Sequence, residues 1–438
     1  MKRLFPSSTA VEDQIQGRLL YAGLIFILIH AIILSLAPVV RSRGLDLTIN
    51  FVHWAGVIVW AVCFSFLHRQ SQKFLPNRDP YLLPVFGLLT GWGLLTIFRL
   101  LPSYGFKQAL WLIVGTAAII TIIRTPNFLL WLRRYKYIWL ICGLILTALT
   151  FVVGIYPGGA GPRLWLGCCG IYLQPSEPLK LLLIVYLAAY LADRVLLKID
   201  FMKLIAPTLI LTGLALAILF AQRDLGTTTV FLLLYFTMIY LATEDKKVLI
   251  FGAILIISAG ILGVLFVDVI KFRVEAWLNP WLDPSGKSYQ IVQSLIAVAS
   301  GGLLGRGIGI GNPVVVPVAI SDFVFSAIAE ETGLVGSLAL ITLFATLIHR
   351  GFKIASHAVN NYHRYLAAGI TAFLGIQLIL IVGGNLRMLP LTGVTLPFVS
   401  YGGSSLLTCS ISIVCLLLIS NIGEVEPAKM VNKQPLIL

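Results

Sequence analysis

A small set of charged side chains stands where this chain offers few ordinary reasons for them. Glu177 and Lys180 open an apolar run three residues apart, a spacing that sets both on one helix face. Asp224 lies in the turn QRDLGT, Asp283 in NPWLDPSGKSYQ between Pro280 and Pro284, and Asp322 at the head of another apolar run. Glu330 and Glu331 follow about two turns inside that run. A charge at the centre of a membrane helix costs roughly 2.5 to 3.5 kcal/mol on insertion scales, so such groups pair or serve a function. Plainer readings stand beside that one: an interfacial ion pair for Glu177 and Lys180, helix N-caps for Asp224 and Asp322, a solvated turn for Asp283. The prolines forbid a regular helix around Asp283 and hold its carboxylate on a stiff turn. Carboxylates and a lysine gathered at one membrane face would make a polar site, provided the surrounding elements bring them to the same side.

Those elements are membrane helices. Of 438 residues, 58% are hydrophobic and 11% charged, against roughly 25% charged in a soluble domain. Apolar runs of about 20 residues, the length a helix needs to cross the hydrocarbon layer, recur throughout. They predict an all-α polytopic bundle of twelve spans near 19–39, 48–67, 81–101, 108–123, 136–156, 171–193, 204–222, 227–243, 248–268, 323–348, 365–384 and 399–421. Placing both termini in the cytoplasm leaves most Lys and Arg inside, as the positive-inside rule requires, with Arg41 and Arg43 on the wrong side. In that topology every acidic group named above falls at the outer face.

The net charge of +14 is scattered between spans and forms no stripe with interleaved aromatics, which argues against nucleic acid as a partner. The first apolar run carries no small-residue cleavage pattern and reads as a retained anchor. Cys63, Cys142, Cys168, Cys169, Cys409 and Cys415 have no metal-ligand spacing and read as buried small hydrophobes. The longest polar interruption, 269–322, faces outward and contains the glycine-rich GGLLGRGIGIGN. That cluster lacks the strand and the Lys-Ser/Thr pair of a phosphate-binding loop, so a tightly turning re-entrant or surface segment is expected.

Taken together, five strings resemble the shape, elongation, division and sporulation (SEDS) family, which includes FtsW, RodA and SpoVE. They are QPSEPLK from Gln174 to Lys180, DLGT from Asp224, NPWLDP from Asn279 with YQIVQS from Tyr289, DFVFSAIAEETG from Asp322, and LPFVSYGGSS from Leu396. The resemblance implies a ten-helix glycosyltransferase core over 81–421 with a long extracytoplasmic loop, two additional helices within 1–80, and a cytoplasmic tail over 422–438. It implies polymerisation of lipid II into peptidoglycan strands at the outer face of the bacterial cytoplasmic membrane, in division or elongation, with release of undecaprenyl diphosphate. Asp283 matches the family's catalytic aspartate, which would act as general base on a sugar hydroxyl in an inverting displacement. Arg163, Lys180 and Arg273 would face the diphosphate, and Glu177, Asp224, Gln290, Gln293, Asp322, Glu330, Glu331 and Ser400 complete the substrate side. A class B penicillin-binding protein is the implied partner. No cofactor is fixed, and a divalent cation, Mg or Mn, stays open.

The chain departs from the family at several positions. Leu164 replaces the arginine beside Trp165, Val318 replaces a glutamate, Arg223 replaces the proline of Gln-Pro-Asp, and Ser288 replaces a glycine. Two other readings therefore stay in view. A flippase for a lipid-linked precursor would need polar groups through the bilayer depth or inverted repeats with broken helices. A scaffold for a cell-wall synthase would need only the fold.

Overall fold

The computed structural model describes residues 8–42, 49–157, 161–168, 170–194 and 201–423, and the structural statements below concern those residues. Arg43, Cys169 and nearly all of the expected C-terminal tail lie outside them. Long helices follow one another in the order α1 Ser8–Ser42, α2 Trp54–Phe74, α3 Leu82–Leu100, α4 Pro102–Arg124, a short α5 Phe128–Arg134, and α6 Lys136–Val153. A hairpin of β1 Leu166–Cys168 and β2 Ile171–Leu173 precedes α7 Ser176–Arg194, α8 Phe201–Ala221, α9 Leu225–Thr243 and α10 Lys246–Phe266. The long connection after α10 holds α11 Asp268–Leu278 and α12 Tyr289–Gly301, and α13 Val324–Ser356, α14 Asn361–Asn385 and α15 Gly403–Gly423 complete the bundle.

Twelve of these, α1 to α4, α6 to α10 and α13 to α15, match the expected spans in order. Nine described helices are long and apolar enough to cross a membrane. The others, α2, α7 and α8, fill the remaining positions; α7 carries Glu177 and Lys180, and α2 ends in the polar run HRQSQK. Several boundaries move: α1 starts earlier, α2 shifts toward the C-terminus, α13 ends later, and two further shifts have a local cause. Helix α4 begins at Pro102, six residues before its expected start, because proline suits the first helical turn, where its missing N–H costs nothing. Helix α7 begins at Ser176 and not near 171, because Leu166 to Leu173 pair as the hairpin.

Helices α1 and α2 pack on α3 and α4. The start of α1 and the end of α2 are fastened by Arg78, which is fully buried: it donates to Gln16 Oε1 at 2.6 Å and pairs with Asp13 at 2.6 Å. The next residue, Asp79, pairs with Arg350 of α13, so one turn ties α1 and α2 to α13. Cys63, Cys409 and Cys415 are buried as expected, whereas Cys142 and Cys168 are exposed, the first on the outward face of α6 and the second at the hairpin edge.

Helix α13 breaks at Gly333, where φ is 67° and ψ is −162°. The glycine-rich segment fills the break. Arg306 N donates to Glu330 O at 2.9 Å and Gly307 N to Glu331 O at 3.0 Å, while Leu334 N and Val335 N donate to Gly302 O and Leu303 O. A Cβ on Gly305 would lie 2.2 Å from Glu331 O, and one on Gly333 would lie 2.3 Å from Gly305 N. Glycine is needed at both positions because two backbones meet there. The expected turning segment is thus a plug that satisfies the polar groups freed by the break, as a low-dielectric setting demands.

Candidate active site

Asp224 caps α9: Oδ1 accepts from Thr227 N at 3.1 Å, the ordinary N-cap geometry. Its second oxygen reaches the start of α7, accepting from Gln174 Nε2 at 3.3 Å with Ser176 Oγ at 3.5 Å. The turn before it places Arg223 at φ 61°. Proline is locked near −65° and cannot adopt that conformation, so the QRD turn of this chain is built differently from a Gln-Pro-Asp turn.

Arg273 of α11 leans over the same ground. Its Nη1 donates to Leu391 O at 3.3 Å and Thr392 O at 3.1 Å. Gly226, in the first turn of α9, lets that strand approach, since a Cβ there would lie 2.2 Å from Thr392 O. Asp322 Oδ2 and Arg273 Nη2 lie 3.5 and 3.7 Å from where a Cβ on Gly393 would sit, and Gly393 has a φ of 74°. Arg273 therefore lies in the field of both Asp322 and Asp224; burial lowers its pKa and the two carboxylates oppose that fall. Burial pushes the Asp322 carboxyl up to about 6, against the Ser321 hydroxyl and the Arg273 charge.

A raised carboxyl pKa means that the folded protein holds a proton on Asp322 between about pH 4 and 6 that the unfolded chain has released. Stability from this group is complete below about 4 and is lost as pH rises through about 6. Wild type is therefore expected to lose thermal stability relative to Asp322→Asn between about pH 4 and 7. Activity should rise as pH passes about 6 in wild type, because only ionised Asp322 attracts Arg273, and that step should be missing from the variant's profile. Parallel melting and rate profiles for the two proteins check both signs.

Asn385, at the end of α14, was not singled out from the sequence. It is fully buried and donates to Asp322 O at 2.9 Å and Ile381 O at 3.0 Å while accepting from Ser326 Oγ at 2.8 Å. Ser294 of α12 joins it, sharing a 2.6 Å bond with Ser326 Oγ and donating to Asn385 O at 3.0 Å. Three helices are thereby locked behind Asp322. The one available signal was an asparagine closing an apolar run. Ser400 acts from the other side: its hydroxyl donates to Ser321 O at 2.5 Å and accepts from Leu396 N at 2.9 Å.

Asp283 stands apart from this cluster on an exposed turn. Oδ1 accepts from Gly286 N at 3.0 Å and Oδ2 from Lys287 N at 2.9 Å, so the carboxylate is held over its own loop. A Cβ on Gly286 would meet both oxygens at 2.5 Å. Gly286→Ala is expected to push the carboxylate off its turn and slow the reaction roughly tenfold, the loss of about one hydrogen bond's positioning energy, while the melting midpoint holds. Steady-state rates and thermal melts of the two proteins decide it.

The remaining expected residues divide. Glu177 and Lys180 form a buried ion pair at 2.6 Å directly beneath Ser176, with the ammonium 5.7 Å from the Phe373 ring. Glu330 and Glu331 join the glycine plug: Glu330 Oε1 accepts from Asn312 N at 2.9 Å and faces Arg306 at 3.6 Å, and Glu331 lies 3.3 Å from Arg99. Gln290 is exposed and Gln293 half-buried along the first turns of α12. Arg163 is exposed beside the Ile155–Trp165 bridge, where Leu164 is half-buried. Val318 is half-exposed at φ 56°, a left-handed conformation unusual for a β-branched residue.

Among the described residues no three His, Cys, Asp or Glu side chains gather as metal ligands. Asp224 and Asp322 both face Arg273, a cation that already occupies their common field. Arg273 thus already balances part of the charge of these two carboxylates, and the chemistry is assigned to side chains.

A family model described as cell cycle protein, FtsW/RodA/SpoVE, matches residues 96–424. The peptidoglycan glycosyltransferase RodA of Mycobacterium tuberculosis is 33% identical over 443 residues, 95% of this chain and 93% of the relative. A chain from a solved peptidoglycan synthase complex that coordinates polymerization and crosslinking aligns with a TM-score of 0.68 and 26% identity, over 80% of this chain and 99% of that one. The crystal structure of Thermus thermophilus RodA aligns with a TM-score of 0.58 and 25% identity over 78% of this chain and 96% of that one. With its helices in the expected order and the family model spanning most of its length, this membrane protein belongs to the FtsW/RodA/SpoVE family.

Proposed function

We propose that this protein is a peptidoglycan glycosyltransferase that polymerises lipid II at the outer face of the bacterial cytoplasmic membrane, both termini lying inside. The observation that carries the reading is the placement of Asp283. Its carboxylate is fixed by two backbone N–H groups on an exposed turn, immediately after Trp281 and Leu282, which are 59% and 84% exposed. Exposed tryptophan and leucine at a bundle end suit the lipid–water boundary, where the sugar head of a lipid-linked precursor would lie with its tail among the helices.

The chemistry follows from the residue types. A carboxylate keeps lone pairs free beyond two accepted hydrogen bonds, so Asp283 can take the proton of an attacking sugar hydroxyl as the C–O bond forms at the anomeric carbon. The bond to the diphosphate breaks in the same step, inverting that carbon. Arg273, which leans over Asp224 and Asp322, and exposed Arg163 are the cations we assign to the charge that grows on the departing diphosphate. Asp224 and Asp322 steer Arg273, and the buried Glu177–Lys180 pair sets the first turn of α7 that presents Gln174 and Ser176. Ser400 fixes the loop behind Asp322. Gln290 and Gln293 line the approach after the turn. Glu330 and Glu331 are assigned to the glycine plug.

A class B penicillin-binding protein is the proposed partner, since the described residues contain no soluble domain to crosslink the strands. The break in α13 does not favour a flippase, because protein backbone fills it. Purified full-length protein with labelled lipid II, alone and with such a partner, tests the reading. Glycan strands are expected; transbilayer movement of lipid II without polymer would overturn it.

A further inference from the structure

At the outer end of α1, a recess of about 170 Å³ lies between α1, the segment that leads into α2, the end of α3, the start of α4 and the glycine plug. Arg41, Arg99, Asn50 and His53 supply its polar lining, and Leu34 and Phe98 part of its apolar wall. Arg41 is one of the two residues that offend the positive-inside rule. It is exposed in the last turn of α1, and none of the described carboxylates pairs with it. The helix dipole favours a cation at that position, but it does not account for the convergence with Arg99 from another helix.

Arg99 is committed on one side. Its Nη2 donates to Gly309 O at 3.0 Å and Gly311 O at 3.1 Å, and Glu331 lies 3.3 Å from Nε. Nη1 holds no bond to the described residues. Glu331 offsets the Arg99 charge, so the recess keeps a net excess of about one positive charge, that of Arg41.

We propose that this recess binds the phosphodiester of an anionic phospholipid in the outer leaflet. The size and charge argue for that ligand. A pocket for a drug-sized molecule measures roughly 300 to 1,000 Å³, so 170 Å³ admits a phosphate head but not the sugar-peptide of a cell-wall precursor. One net positive charge matches a monoanionic phosphodiester better than a diphosphate. Guanidinium groups bind phosphate oxygens in bidentate pairs, and Leu34 and Phe98 supply apolar surface beside them for the start of an acyl chain. A bound head would bridge α1 to Arg99 and, through Gly309, to the plug in α13.

The test uses purified full-length protein, stripped of lipid in detergent and titrated with phosphatidylglycerol, phosphatidylcholine or undecaprenyl diphosphate under native mass spectrometry. Wild type should retain phosphatidylglycerol over phosphatidylcholine, Arg41→Gln should weaken that retention roughly five-fold, and Arg41→Lys should restore most of it. Arg41 is exposed at a helix end, so the variants should fold, which gel filtration and melting verify. Equal retention by wild type and Arg41→Gln would overturn the site. Preferential retention of undecaprenyl diphosphate, lost in Arg41→Gln, would overturn the phospholipid assignment in favour of the polyprenyl source.

Discussion

Asp283→Asn is expected to lower lipid II polymerisation by about 10²- to 10⁴-fold, the usual contribution of a general base. Asparagine keeps the size of the side chain, and its oxygen can still accept one of the two backbone N–H groups that hold Asp283. The other bond is lost at an exposed turn, at a cost of about 1 kcal/mol, small beside a domain stability of roughly 5 to 15 kcal/mol. What the amide cannot do is accept a proton from a sugar hydroxyl. Folding and activity should therefore separate: an unchanged melting profile, unchanged lipid II binding, and strands that form far more slowly. Full polymerisation by the variant would remove Asp283 from the chemistry and leave it as a loop residue. Slow polymerisation accompanied by weak binding would reassign it to holding substrate.

How legible the molecule was in its sequence depends on where each residue's partner lies. The helices were legible because span length and hydrophobicity are local properties, and the order of twelve spans follows from them. The cap role of Asp224 was legible because its partner Thr227 is three residues away. Arg99 was opaque: its partners Gly309 and Gly311 are more than 200 residues distant, and nothing near Arg99 signals them. Glu330 and Glu331 looked like site residues because two carboxylates inside an apolar helix are costly, and that cost is met by Arg306, Arg99 and the plug. A break at Gly333 was equally hidden, since isolated glycines inside apolar helices are common and only the facing backbone reveals this one. Asp283 was legible as a stiff turn from its flanking prolines, but that its carboxylate bonds only its own loop and none of Asp224, Arg273 and Asp322 among the described residues was not. A base on an exposed turn and a half-buried cation can address opposite ends of one lipid-linked sugar.

Lys180→Met should be the most disruptive single change in the bundle. The ammonium and the Glu177 carboxylate are both buried, and removing one charge leaves the other unpaired, at a cost of about 3 to 5 kcal/mol. The variant is expected to express poorly and melt well below wild type. The informative protein is the double variant Lys180→Met with Glu177→Leu. Replacing a buried pair by apolar groups of similar volume is often neutral or stabilising by roughly 1 to 4 kcal/mol, so the double variant should recover the wild-type melting midpoint. If the pair served only packing, polymerisation would return with it. Two features argue that it will not. Glu177 Oε2 is buried without a hydrogen-bond partner among the described residues, an arrangement that stability alone does not favour. The pair also lies one residue below Ser176, which together with Gln174 reaches Asp224, so losing its geometry loosens the turn that holds the Asp224 carboxylate. Recovered folding with polymerisation still reduced is the expected result, and full recovery of both would assign Glu177 and Lys180 to the scaffold alone.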